Sequence, residues 1–386
     1  MESKSNSYHR VNWIDGMKIN KDHFIELENS VLEMVRNSEL KSITPINFGL
    51  LPKYSDDDNS IDLTISVDGQ STIEVILNSC KAITLGGSQI NLSSDTRRLL
   101  EQTGYILKNK YTINKDEKEW YIILTINPFK RVPAGNANPE EEPPRHPHIL
   151  PEYKLDILPK SETSNQELGL YHITIGKVIL EDGKPSVDQD FIPPCRSIQS
   201  HPDLIFVYNE VGAFLNQLEA FSLHIIQKIY QKKQQNDLAQ MALYLSKQVM
   251  QYLNTNISEF RFKDKYEPPA VMISKLVNLA RVIKSSLDVY VGTGKEDFLN
   301  YLTDWCDLNQ GAFENVLVET IDLEYVHTDI NASLLKVSAF TKLMLSLFKK
   351  LNELDYIGKK QDSGIFVKEE VVENTEVKSR RSFLLD

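Results

Sequence analysis

The hydrophobic period of this 386-residue chain changes once, at the proline-rich stretch FIPPCRSIQSHP, Phe191 to Pro202. Upstream of it apolar residues recur at every second position; downstream they recur at every third and fourth. A strand presents one face with period two and a helix with period 3.6, so one kind of element cannot satisfy both halves. The pattern predicts an α+β chain in which an N-terminal β-sandwich is followed by an antiparallel helical bundle.

The β half reads from about Phe48 to Ile198. Ile61, Leu63, Ile65 and Val67 alternate with Asp62, Thr64 and Ser66, and Asp68-Gly69 marks a hairpin with a second β-rich run. EWYIILTINPF is apolar on both faces, as a central strand requires. LYHITIGKVILEDGKPSV predicts a long strand ending in a turn at Asp182-Gly183. Between these two runs, RVPAGNANPEEEPPRHPHILPEY carries so many prolines and charges that an exposed excursion from the sheet is expected. A short helix is expected before the sheet, from about Asp22 to Ser38.

In the helical half, Leu204, Tyr208, Val211, Leu215, Leu218, Ile225 and Ile229 form the apolar face of one long helix. That face is readable either as the core of its own bundle or as a seam between copies. Further helices are expected over about Asp237–Asn254, Pro268–Val291, Lys295–Asp307 and Asp329–Leu354. Pro268-Pro269 suits a helix start, Gly292 a stop and Asp329 a cap. The segments read as 1–40 for an N-terminal arm and short helix, 41–198 for the sandwich, 199–307 for the bundle, 308–357 for a C-terminal helical region and 358–386 for a charged tail.

With 43 Lys plus Arg against 54 Asp plus Glu, the net charge of −11 argues against a phosphate backbone as partner. Cys80, Cys195 and Cys306 lie far apart without CxxC spacing, which fits a reducing compartment and signals neither zinc nor a disulfide framework. No secretory leader is legible at the start, and no window reads as a membrane span, so the expected location is cytoplasmic.

Catalytic and metal motifs fail on spacing. VGTGKE, Val291 to Glu296, lacks the first glycine of a phosphate loop, which Val289 replaces. It also has Glu296 where a Mg²⁺-binding hydroxyl belongs. SDDDNS, Ser55 to Ser60, lacks the ordered spacing of a calcium loop. His146 and His148 have no third ligand nearby in sequence, and Cys195 has only His201. The expectation is no enzyme, no cofactor and no metal. A carbohydrate- or receptor-binding β-sandwich without catalysis is the alternative class, and a glycosidase would need two facing carboxylates.

The stretch VNWIDGMKINKDHF, Val11 to Phe24, fits neither a strand nor a core helix. Read alone, Trp13, Met17 and Phe24 are anchors tying an arm to the sandwich. Gly16 permits a tight turn, and His23 is a hydrogen-bonded helix-start residue. The stretch also resembles the N-terminal signature of the TssK family of type VI secretion baseplate subunits, in which a Trp, a Gly-Met pair and a His-Phe pair occur in this order. FIPPCRSI is similar to the segment closing that family's β domain, and SHPDLIFVYNEVGAFLNQLEAF to the start of its helical domain.

The resemblance implies a phage-tail-like, non-catalytic homotrimer. Its β "shoulder" contacts baseplate wedge proteins of the TssF and TssG type, its helical "neck" follows, and a C-terminal head docks a membrane complex. On that basis Trp13, Gly16, Met17, His23 and Phe24 are the expected wedge-binding residues. The Leu204–Ile229 face is the expected trimer or bundle seam. Lys21 and Asp22 stand where many members have Pro-Gln, and the region after Leu308 is shorter and more helical than the family's mixed head. A reduced docking element is therefore expected, with Ile365, Phe366, Val367, Phe383, Leu384 and Leu385 as its apolar contacts.

Overall fold

The computed structural model describes residues 8–53, 60–68, 72–113, 117–165, 168–181, 183–306 and 310–358. The chain is α+β and divides into two compact units. The first holds residues up to His201 together with His327–Ile330; the second holds Pro202–Val326 and the chain from Asn331 onward.

The first unit opens with helix α1, Lys21–Leu40, and continues into two sheets. In the five-stranded sheet, β3 (Thr72–Ile83) is the spine. Strands β1 (Gly49–Leu50) and β2 (Ile61–Val67) share one of its edges, and β4 (Gln89–Leu92) and β5 (Lys108–Thr112) share the other. The β2–β3 hairpin follows the expected alternation, and its register slips by one at Asn78, where Asp62 faces Ser79 but Leu63 faces Leu77. That bulge explains why the buried residues of β3 switch from Ile73, Val75 and Leu77 to Cys80 and Ala82. Helix α2, Ser94–Glu101, capped by Ser93 Oγ, interrupts the β pattern where no helix was expected.

The four-stranded sheet runs β7-β6-β8-β9, with β6 at Glu119–Ala134, β7 at His148–Pro159, β8 at His172–Glu181 and β9 at Lys184–Val187. A short helix, α3 (Lys160–Asn165), follows β7. Strand β6 is central, and Trp120, Ile122, Ile123, Leu124 and Ile126 are all buried, so both of its faces are covered. Glu181 pairs with Lys184, and Gly183 turns that hairpin with φ +75°. The two sheets face each other across little space. A Cβ added at Gly176 of β8 would lie 2.9 Å from Ile122, 3.0 Å from Ile65 and 3.1 Å from Leu63.

The proline-rich stretch after β6 departs from expectation. Arg131–Ala134 and His148–Pro151 continue the β6–β7 ladder, with Pro133 opposite Ile149 and Pro151 opposite Arg131. Only the residues between them leave the sheet. The ladder tolerates the prolines because β8 pairs with β6 only as far as Thr125, so the missing N–H of Pro133 has no strand to serve on that side.

The second unit is built from helices joined by short turns. These are α4 (Pro202–Gln231), α5 (Asp237–Phe262), α6 (Pro269–Asp288), α7 (Lys295–Cys306), α8 (Gln310–Ile321) and α9 (Ile330–Glu353). Its core buries Leu218 and Ile225 of α4, Leu245 and Val249 of α5, and Leu276 and Ile283 of α6. Helix α8 lies in the region expected to be helical, where it had not been separated from α9. It packs on α6 through a short apolar face, Phe313 and Leu317, too brief to show a period. Asp264, fully buried, receives the Lys275 ammonium at 2.8–2.9 Å. Lys228 donates to the Asn352 and Leu354 carbonyls, satisfying the end of α9.

Helix α9 alters one reading. By length and composition it is apolar enough to cross a bilayer, and no such window was expected. Val337, Phe340, Met344, Leu347 and Phe348 are nevertheless buried inside the helical unit.

One backbone crossing closes the β unit. Leu50 N donates to Pro194 O at 2.7 Å and Arg196 N to Leu50 O at 2.9 Å, fastening the first strand to the segment that ends the sandwich. Gly49 has φ +108°, and an added Cβ would stand 2.0 Å from Pro194 O. Gly49→Ala therefore combines a disfavoured backbone with a clash against backbone. It should cost about 3 kcal/mol or more in urea unfolding of the full chain. A loss under about 1 kcal/mol would show that the crossing opens freely.

Candidate functional site

The N-terminal arm is built by local turn and cap chemistry. Gly16 has φ +81° with open space around it, and Met17 N closes a turn on Ile14 O at 3.3 Å. Asn20 caps α1: its Oδ1 accepts from Asp22 N at 3.0 Å and His23 N at 3.2 Å, while His23 Nδ1 accepts from Asn20 N at 3.2 Å. The helix start thus holds the His23 ring, and Trp13 gathers on it, 6.1 Å from His23 and 6.5 Å from Phe24 between ring centroids.

These aromatics do not anchor the arm to the sandwich as their composition suggested. Trp13 is 45% exposed and Phe24 58%, while Met17 is half-buried. The tie is made earlier, at Tyr8. Its N–H donates to Glu33 Oε2 at 2.6 Å and its ring stacks on Phe129 at 6.3 Å. With that load carried by Tyr8, the Trp13–Phe24 pair is left facing solvent.

Helix α1 sits on the β unit through polar and close-backbone contacts. Arg131 reaches Glu28 at 2.8 Å and Asn29 at 2.9 Å, and the Arg36 guanidinium lies 4.9 Å above the Phe129 ring. Gly87 touches the helix so closely that a Cβ there would be 2.8 Å from Leu40 and 2.9 Å from Arg36 O. Phe129 is available because Asn127 pairs with Glu152 while Arg131 pairs with Pro151, leaving Pro128–Lys130 as a wide bulge. Under the helix lies a groove of about 420 Å³ whose walls include Leu32, Arg36, Phe129, Arg131 and Tyr153. Of the α1 side chains only Ser30 is buried.

The face expected as a seam lies elsewhere. Leu204, Val211, Leu215, Leu218, Ile225 and Ile229 are buried within the helical unit itself. Tyr208 is half-buried, its ring stacked on Phe260 at 4.5 Å and its hydroxyl donating to Phe260 O at 2.7 Å. The expected docking residues Ile365, Phe366, Val367, Phe383, Leu384 and Leu385 lie outside the described residues, as do Ser55–Asn59 of the acidic turn.

Groups weighed for chemistry occupy structural positions. Lys295 of the VGTGKE turn bridges Asp288 and Glu314, each at 2.7 Å, and Gly292 and Gly294 take positive φ between α6 and α7. Cys195 is buried with its thiol on Pro193 O at 3.1 Å, and burial raises its pKa; burial pushes the Cys80 thiol up to about 12. His146 Nδ1 bonds the Gly135 carbonyl at 2.7 Å, and exposed His148 begins β7 opposite Ala134. Among the described residues no three His, Cys, Asp or Glu gather as a metal site.

No family model matches the chain, and no curated protein matches it. Solved structures of TssK are similar to it. A crystal structure of TssK is 16% identical with a TM-score of 0.49, covering 89% of this chain and 69% of that one. TssK from the type VI secretion system of EAEC, in complex with nanobody nb18, is 13% identical with a TM-score of 0.44, covering 85% and 99%. TssK in a TssK-TssF-TssG baseplate subcomplex is 13% identical with a TM-score of 0.44, covering 90% and 99%.

Two histidines, one buried and one half-buried, set a pH dependence for the β unit. His327 packs edge-on against Phe48 at 4.9 Å and bonds its carbonyl through Nε2 at 2.8 Å. Burial pushes the pKa of His327 and of His172 below the ordinary histidine range, and the Phe48 bond offsets this only in part. The unfolded chain then binds more protons. This stability is therefore full above the unfolded pKa of about 6.5 and is lost as pH falls through the folded values. Unfolding free energy should drop between pH 7 and pH 5, and His327→Gln should flatten that slope. An unchanged slope would show that His327 does not titrate across this range.

Proposed function

We propose that the chain is a structural, non-catalytic baseplate subunit of a type VI secretion system. In this reading it is a cytoplasmic homotrimeric adaptor that links wedge proteins of the TssF and TssG type to the membrane-anchored complex at the cytoplasmic face of the inner membrane. The observation that carries the reading is the exposed arm. The stretch Val11–Phe24, by which the sequence resembles the TssK family, holds Trp13 and Phe24 toward solvent although their tie to the fold is made by Tyr8. Large apolar rings kept out of a protein's own core mark a contact surface.

The mechanism is multivalent binding. Three copies present the same arm, so a wedge held by one copy meets the others at high effective concentration without any new contact. His23 fixes the start of α1, Gly16 sets the turn that returns Met17 toward it, and Trp13 and Phe24 supply the apolar contact area.

Because both rings are substantially exposed, Trp13→Ala with Phe24→Ala should leave the melting temperature nearly unchanged while weakening co-purification with the wedge proteins at least tenfold. Undiminished capture by the folded double variant would remove the arm from the wedge interface.

The charged tail, 358–386, is proposed as the membrane-side docking element through Ile365, Phe366, Val367, Phe383, Leu384 and Leu385. Truncation before Lys359 spares Gly358, whose N–H bonds Tyr301 Oη at 3.1 Å. The truncated chain should keep wedge capture and lose attachment to the membrane complex. Normal attachment and secretion would place the docking surface on the helical unit instead.

A further inference from the structure

Helix α9 stops at Glu353, yet the residues after it are held by side chains from elsewhere in the helical unit. Lys228 Nζ on the Asn352 and Leu354 carbonyls is the capping any helix end requires. The next contacts lie beyond that need. Gln234 Oε1 accepts from Ile357 N at 3.1 Å, Asn236 Nδ2 donates to Ile357 O at 3.1 Å, and Tyr301 Oη accepts from Gly358 N at 3.1 Å. The Ile357 side chain is fully buried, so this one residue, past the end of the helix, has its amide, its carbonyl and its side chain all engaged. Gly358 follows with φ +94°, and a Cβ there would stand 2.6 Å from Asn236 Oδ1.

The α4–α5 turn holds its two amides in place by strain and by capping. Gln234 N donates to Ile229 O and Lys233 N to Tyr230 O, each at 3.1 Å, which closes α4 with a left-handed residue at Lys233, φ +48°. Glycine is the usual residue there, and Lys233 is the one non-glycine with positive φ among the described residues. The turn sends the Gln234 side chain inward, where it is 3% exposed and its Nε2 has no partner among the described residues. A buried amide satisfied at one end only is costly, so its place in the turn is explained by the bond its other end makes. Asn236 uses its second amide atom, Oδ1, to cap α5 on Ala239 N at 2.9 Å.

We propose that the α4–α5 turn is a positioning bracket for the tail: Gln234, Asn236 and Tyr301 fix where the chain leaves the helical unit after Gly358, and attachment to the membrane-side partner depends on that fixed exit. The proposal rests on the reading of 358–386 as the docking element and says what presents it. None of the three side chains is needed to end α9, which Lys228 already does. A segment with a fixed root loses less freedom on binding than one swinging from a frayed helix end, so a held exit lowers the cost of attachment.

The test uses the full chain carrying Gln234→Ala with Asn236→Asp; aspartate keeps the cap on α5 and removes the donor to Ile357 O. Amide hydrogen exchange at Ile357 and Gly358 should speed at least tenfold while exchange in the middle of α9 is unchanged. Capture of the detergent-solubilised membrane complex of the same secretion system should fall at least fivefold, with wedge capture intact. Unchanged exchange at Ile357 overturns the bracket, and faster exchange with undiminished capture overturns its role in docking. If the double variant fails to fold, an insertion of about twenty Gly and Ser residues between Gly358 and Lys359 decides, since it leaves every bracket contact in place and frees the tail from the exit. Weakened capture then supports the proposal and full capture overturns it. Truncation before Lys359 separates the two readings. A truncated chain that still captures the membrane complex sinks the docking role of the tail and this proposal with it. A truncated chain that loses capture, beside a double variant that keeps it, overturns the bracket alone.

Discussion

Strand β6 is the constraint on which the β unit depends. It is covered on both faces, paired along β7 on one edge and β8 on the other, and buries the Trp120 indole completely. Such a strand can be satisfied only if a second sheet closes over it, and β2 does so closely enough that β8 must have glycine at position 176. Where β8 stops pairing, β6 is freed on one side. There the chain can bulge at Pro128–Lys130 and accept Pro133. The landing place of α1 is thus a consequence of how far one central strand is paired.

This dependence shows why the sequence was legible in some places and not in others. Alternation along β2 and apolarity on both faces of β6 announce themselves because each reflects a local period. The β6–β7 extension was hidden by prolines whose harmlessness rests on the extent of β8, a property of the sheet and not of the segment. Helix α8 is too short for its apolar residues to show a period, and α2 interrupts the β run with only Ser93 as a marker. The Gly49–Pro194 crossing joins residues distant in sequence, and no local pattern could have signalled it.

The two apolar helices make the same point about function. The stripe on α4 is legible as a pattern, and it was readable either as the core of its own bundle or as a seam. A hydrophobic period reports that a face avoids water, not what covers it. In α4 the cover includes α5 of the same unit, whereas α1 meets the β unit through Arg131, Gly87 and Phe129. What orients α1 is therefore carried by residues beyond the helix, from Gly87 to Arg131.

That commitment is modest in energy. Most helical stability in proteins comes from tertiary packing, and partly exposed ion pairs such as Arg131–Glu28 contribute about 0–1 kcal/mol each. The groove under α1 leaves Leu32 and the Phe129 ring incompletely covered, so little apolar burial adds to the hold. The close approach at Gly87 and the cation over Phe129 then fix the helix's orientation more than its stability. The larger apolar stabilisation available to α1 lies on its outer face, at roughly 25 cal/mol for each Å² removed from water. Covering that face would stabilise the helix and its N-terminal arm together, since the Asn20 cap and the Trp13 ring both rest on its first turn.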